Sequence, residues 1–206
     1  MIITSILQDW ENYLVEKIKP QIEKTSDKIE GNIYSEGGNY SPCKSLVNKQ
    51  ENISELVSNA PEGAEILEIG FNAGYSALLM LMSNPTINLT CVDIKDHTYT
   101  PLCFEQIKRD YSNIDIIYGS SVHILPTLQN KKYDIIHVDG GHTRSLVQAD
   151  IYNSLKLSHS GTYLIIDDTN LEYINQACDI IISKKIAVDT NVKNGPIYKH
   201  RILRVL

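Results

Sequence analysis

The sequence predicts an α/β fold: one mostly parallel seven-stranded sheet whose last strand is antiparallel, with helices on both faces and a helical extension ahead of it. Two observations carry this. From Ala64 onward, short runs rich in β-branched residues alternate with helical stretches, the pattern of parallel βαβ units. The last two strand candidates are separated only by a turn around Asn194-Gly195-Pro196, with no helix between them, so the last strand runs antiparallel. A chain of 206 residues that is 42% hydrophobic can bury such a core without disulfide or metal staples.

Taken in order, Ile6, Leu7, Trp10, Leu14, Ile18 and Ile22 recur at helical spacing, predicting one or two amphipathic helices across 6–29, with Pro20 as a kink or boundary. Residues 30–42 hold three glycines and a proline and read as a loop, in which Tyr34 and Tyr40 either face a ligand or merely connect. A helix is expected over 45–59. Strands are expected at 65–69, 88–93, 114–118, 133–138 and 162–167, with helices at 75–82, 101–111, 122–128, 145–157 and 171–183. The closing strands fall at 186–190 and 198–205.

Composition narrows the function. A net charge of -6 argues against a sequence-independent nucleic-acid binder, whose affinity comes from neutralising phosphates. The apolar runs fall short of the roughly 18–20 residues that span a bilayer, and the start lacks a basic segment followed by an apolar one, so no membrane partner and a cytoplasmic location are expected. Cys43, Cys91, Cys103 and Cys178 stand too far apart for a zinc site and read as small buried hydrophobes.

In a sheet of this kind, ligands bind beyond the carboxyl ends of the strands, where the strand order reverses. The first strand runs into Glu68-Ile69-Gly70-Phe71-Asn72-Ala73-Gly74-Tyr75-Ser76 and straight into a helix. Gly70 permits a tight turn, and Gly74 lets the helix start pack on the strand with its N–H groups free for a ligand. Asp93 closes the second strand, where a carboxylate can accept hydrogen bonds from both hydroxyls of a ribose. The third strand ends in Gly119-Ser120-Ser121. The fourth ends in Asp139-Gly140-Gly141-His142 and the fifth in Asp167-Asp168, 28 residues after Asp139. Three carboxylates on one edge are costly unless a cation or hydrogen bonds compensate them, and a hard divalent ion is the natural partner.

The wording E-x-G-x-x-x-G-x-S over Glu68, Gly70, Asn72, Gly74 and Ser76 resembles motif I of class I S-adenosylmethionine-dependent methyltransferases, with Asn72 in place of the usual middle glycine. The Gly119-Ser120-Ser121 stretch is similar to the segment that flanks adenine in catechol-type O-methyltransferases. The set Asp139, Asp167 and Asp168 resembles that of magnesium-dependent O-methyltransferases, both catechol-type and antibiotic-sugar type. The resemblance covers about 64–170. It implies a Rossmann-like methyltransferase sheet that uses S-adenosyl-L-methionine, bound by the motif I residues, Asp93, Gly119, Ser120, Ser121 and Asp139. It further implies Mg2+ or another divalent cation held by Asp139, Asp167 and Asp168, and a small-molecule hydroxyl as acceptor. His142, three residues after Asp139, stands where these families place the group thought to deprotonate the acceptor, and its near-neutral pKa suits a general base. Asp150 is expected to form a salt bridge or orient its helix. On this reading residues 1–60 are a helical extension and lid loop, and 61–206 a single catalytic domain. A homo-oligomer is compatible with the sequence. A nicotinamide-dependent oxidoreductase would share Gly70, Gly74 and Asp93 but would leave the carboxylates unexplained. A third reading is an inactive binding module on the same fold.

Overall fold

The computed structural model describes residues 2–36 and 41–206. Helix α1 (Ile2–Tyr13) passes through one wide π turn (Leu14–Ile18) into α2 (Lys19–Ile22). Pro20 explains the wide turn, because it has no N–H to give and its ring crowds the carbonyl four residues back. The helix stops at Ile22 rather than near residue 29 as the periodicity suggests. The Thr25 hydroxyl bonds the Ile22 carbonyl at 2.8 Å, and Asp27 turns away to accept from Thr98 N at 2.6 Å. Side chains that bond backbone in this way compete with helix continuation. Helix α3 (Val47–Ser58) follows a short 3-10 turn.

Seven strands then form a single sheet: β1 (Glu65–Ile69), β2 (Asn88–Asp93), β3 (Ile114–Tyr118), β4 (Tyr133–Val138), β5 (Ser158–Ile166), β6 (Ala187–Asp189) and β7 (Arg201–Val205), in the order β3-β2-β1-β4-β5-β7-β6. Strands β1 to β5 pair in parallel, and β7 is antiparallel to both β5 and β6, as the sequence predicts. Helices α4 (Tyr75–Ser83), α5 (Thr100–Asp110), α6 (Ser121–Ile124), α7 (Arg144–Leu157) and α8 (Glu172–Ser183) make the crossovers. Strand β1 pairs with β2 on one side and β4 on the other, so the order reverses there and a crevice opens at the carboxyl ends of β1 and β4.

The pleat sorts the core into two layers. Ile66, Ile135 and Ile165 pack with Trp10, Leu14, Ile53 and Leu78 on one face. Leu67, Ile69, Ile136, Val138 and Ile166 pack with Ile151 and Ile174 on the other. The N-terminal helix is therefore one wall of the first layer. Trp10 is 1% exposed, and its indole N–H donates to the Tyr75 carbonyl at 2.9 Å. Tyr34 belongs to this layer as well: it is buried, donates to Glu11 and sits edge-on to Trp10. It does not face the crevice, while the Tyr40 end of that loop lies outside the described residues. No described helix is long and apolar enough to cross a membrane.

This packing makes the helical extension answerable to unfolding measurements. Trp10→Ala is expected to cost about 3–5 kcal/mol. Chemical denaturation should show one transition, displaced as a whole; a separate early transition confined to the N-terminal segment would mean that the extension folds independently.

Candidate functional site

A cleft of about 620 Å³ lies at the carboxyl ends of β1, β2, β4 and β5. Gly70, Asn72, Asp93, Gly119, Ser120 and Ser121 line one half, and Lys49, Asp139, His142, Asp167 and Asp168 the other. Ten of the thirteen residues singled out from sequence thus share one cavity. The exceptions are Glu68, Gly74 and Ser76.

Glycine is required at position 70 by close approach: a Cβ there would sit 2.0 Å from the Asp139 carbonyl oxygen, at φ +95°. At Gly74, φ is +77° and a Cβ would strike the Phe71 ring, so this residue shapes the start of α4 behind the cleft. Glu68 is fully buried, accepting from Ser76 Oγ at 2.5 Å and sitting 3.1 Å from His137 Nδ1. Glu68 and Ser76, which the motif implies as cofactor contacts, form a polar tie beneath the turn and are not among the residues lining the cleft.

Asn72 adopts φ 53°, which a short polar side chain tolerates better than most. Its side chain does what a glycine cannot. The amide donates to the carbonyls of Glu30 (2.7 Å) and Gly31 (2.9 Å), and its oxygen accepts from Tyr99 at 2.6 Å. Asp93 Oδ2 accepts from Phe71 N and Asn72 N at 2.9 and 2.8 Å, and Oδ1 from Lys95 N at 2.7 Å. A carboxylate offers about four acceptor positions, so roughly one remains for a ribose hydroxyl rather than the two contacts expected.

On the neighbouring strand end, Ser120 precedes α6 with extended backbone and its carbonyl accepts from His123 N, while Gly119 takes φ +149°. Beneath Gly140 lies Asp150, 1% exposed, with burial pushing its carboxyl pKa up. It forms no salt bridge among the described residues, so of the two roles expected from sequence the salt bridge is not made. The tight fit against Gly140, where a Cβ would meet Asp150 Oδ2 at 3.1 Å, shows it packed under the loop that carries His142.

The parallel register Val138↔Ile166 places Asp139 beside Asp167. Their compensation comes from a residue that sequence reasoning missed. Lys49 Nζ stands 2.5 Å from Asp167 Oδ1 and 2.6 Å from Oδ2, with the lysine 4% exposed. Helix α3 is fixed by Asn52, which donates to the Lys193 carbonyl (2.8 Å) and to His200 Nε2 (3.0 Å), and by Gln50, which donates to the Ile33 carbonyl (2.6 Å). The signal was present: Leu46, Ile53 and Val57 define a buried helical stripe, and Lys49 and Gln50 fill its gap. His137, also passed over, is fully buried between Glu68 and these acids.

Burial would raise Asp167, but Lys49 and then His137 overcome it and hold its pKa below the ordinary value. Among the described residues Asp139 has no such ion-pair partner; burial and then Asp167 push its pKa well up. Burial opposes a charged His137, yet the Glu68 hydrogen bond and the nearby acids hold its pKa above normal. At the mouth, His142 Nε2 lies 2.9 Å from Asp168 Oδ2, and this hydrogen bond raises the His142 pKa. Asp168 takes φ 52°, and the Tyr173 hydroxyl donates to the His142 carbonyl.

The ligand-type atoms form two overlapping groups, His137-Asp139-Asp167 and Asp139-His142-Asp168, which separate Asp167 from Asp168. Magnesium demands near-octahedral oxygen ligands at about 2.0–2.1 Å. With an ammonium against both oxygens of Asp167, the set Asp139, Asp167 and Asp168 does not offer Asp167 to a divalent ion, and the atoms of Asp139, His142 and Asp168 are grouped apart from it. The cradle around Gly70, Asp93 and Gly119, by contrast, is open and fits a nucleoside.

Fold and cleft define a methyltransferase class, and the chain belongs to the family described as "Methyltransferase domain", which matches residues 67–169, half of its length. No curated protein matches it in sequence. Among solved structures, it is similar to the O-methyltransferase from Bacillus cereus in complex with SAH, at 18% identity and a TM-score of 0.66, covering 95% of this chain and 90% of that one. It is also similar to the O-methyltransferase TomG from Streptomyces achromogenes, involved in tomaymycin synthesis and solved with SAM, at 15% identity and 0.64, covering 93% and 89%. Aeropyrum pernix fibrillarin with natively bound S-adenosyl-L-methionine follows at 15% and 0.56, covering 75% and 73%. At these identities the likeness shows the fold.

Two expectations come from this geometry. Asn72→Ala keeps the left-handed backbone and loses three hydrogen bonds, and should cost about 2–3 kcal/mol, whereas Asn72→Gly relieves the backbone and should cost less. Equal losses in thermal unfolding would show that the backbone conformation is irrelevant. His200 is fully buried, and burial lowers its pKa to about 4. The unfolded chain takes up this proton below about pH 6.5 and the folded chain only near pH 4, so stability falls as pH drops between them, by up to about 3 kcal/mol. NMR titration should find the His200 ring neutral at pH 5; a protonated ring there would contradict the assignment.

Proposed function

We propose that the chain is an S-adenosylmethionine-dependent methyltransferase acting on a hydroxyl of a small molecule. The observation that carries this is the His142–Asp168 pair at 2.9 Å, standing across one cleft from the Gly70–Asp93 cradle. The cleft volume lies within the roughly 300–1,000 Å³ usual for small-molecule sites.

S-adenosylmethionine, when bound, supplies an electrophilic methyl group on a sulfonium and leaves as the neutral thioether. The chain's own residues do the rest. The remaining acceptor position of Asp93 is available to a ribose hydroxyl, and Gly70 keeps the turn free of a side chain. Ser120 and Ser121 border the place for the base. Asp168 engages Nε2 of His142, which leaves Nδ1 to take the proton of an acceptor hydroxyl. Tyr173 steadies that loop through the His142 carbonyl. Proton removal and alignment are the main requirements for an oxygen nucleophile.

Calorimetry should detect S-adenosylhomocysteine binding and no NAD binding, and Asp93→Ala should weaken the former about tenfold or more. Preference for NAD, or no nucleotide binding at all, would overturn the reading. Because Asp168 raises the His142 pKa, Asp168→Asn should lower it toward the usual value of about 6.5 in an NMR titration and slow transfer to hydroxylated acceptors. An unmoved His142 pKa would remove Asp168 from the mechanism.

A further inference from the structure

The counter-charge at the ends of β4 and β5 is built into the chain. We infer that the Lys49 ammonium stands in the place of a divalent cation, so that the cleft holds its acidic edge and its acceptor without a metal ion. Lys49 does not visit this position from solvent: it lies on the buried face of α3, with both oxygens of Asp167 within 2.6 Å. Asp139 and Asp168 add to the field at its ammonium.

A dication entering between these acids would meet a fixed positive charge in contact with Asp167, one of its three expected ligands. To admit it, Lys49 would have to surrender its proton or break from a helix locked through Gln50 to Ile33, in the linker between α2 and α3, and through Asn52 to Lys193 and His200, ahead of β7. Removing one partner of a buried pair leaves the other uncompensated, which is strongly unfavourable. The chain also carries the balancing charge needed to keep Asp167 ionised, the service a metal would otherwise perform.

An ammonium has three N–H bonds. One donates to Asp167 Oδ2, with Oδ1 in ion-pair contact, and Lys49 lines the same cleft as His142. A further N–H is available to an acceptor oxygen, where it favours the deprotonated form that His142 produces. This acceptor role rests on the methyl-transfer reading; the cation assignment does not.

The test is a titration of the full chain with Mn2+ at neutral pH, followed by the EPR signal of the free ion, with and without S-adenosylhomocysteine. Wild type should show no specific site up to about 1 mM, the range of weak hard-cation sites. Lys49→Met, which removes the charge and keeps most of the volume, should gain one site at least roughly tenfold tighter, and Lys49→Arg should behave as wild type. One Mn2+ bound by wild type and lost in Asp167→Asn would overturn the inference, as would a folded Lys49→Met that binds none. Should Lys49→Met fail to fold, the wild-type titration alone decides, together with a melting temperature that is indifferent to magnesium or EDTA. Binding of S-adenosylhomocysteine in the same samples reports on the methyl-transfer reading separately, so the two ideas fail independently.

Discussion

The arrangement depends on how the chain tolerates Asp139, Asp167 and Asp168 crowded at the ends of two neighbouring parallel strands. Strand register brings the first two together and leaves no freedom to spread them. Uncompensated, such acids would take up protons or push the strand ends apart. The protein answers with a buried lysine against Asp167, a buried histidine held by Glu68, and a half-exposed histidine against Asp168. Each of these side chains comes from a different element, so the cluster ties α3, β1, β4 and the loop before α7 into one unit. A buried pair of this kind is weak evidence for net stability, since desolvation offsets much of the attraction. Its role is better described as fixing where each charge stands.

The same logic gives the N-terminal segment a place in the site. Lys49 reaches the acids from α3, while Asn72 grips the linker at Glu30 and Gly31. The segment before the sheet therefore contributes a charge to one half of the cleft and a brace to the other. A glycine at position 72 would permit the turn but would release the linker.

Much of this was legible in the sequence. The alternation of strand and helix, the reversal point and the glycine-rich turn follow from local patterning, and ten of the thirteen singled-out residues line one cavity because strand ends in a parallel sheet necessarily converge. What was not legible depended on distance along the chain. Glu68 looks like a ligand in a motif, yet it points into the core because alternation turns it toward Ser76 and His137. Lys49 lies 118 positions from its partner, and no local pattern pairs them. Its presence on a buried stripe was the available hint. Asp150 reads from sequence as a salt-bridging or helix-orienting acid, and only the fold shows it tucked under Gly140.

The most direct test is a crystal structure of the chain grown with excess magnesium and S-adenosylhomocysteine. The account requires the Lys49 ammonium in contact with Asp167, the nucleoside beside Gly70 and Asp93, and His142 paired with Asp168 at the open end. Octahedral density bridging Asp139, Asp167 and Asp168, with Lys49 swung aside, would contradict it.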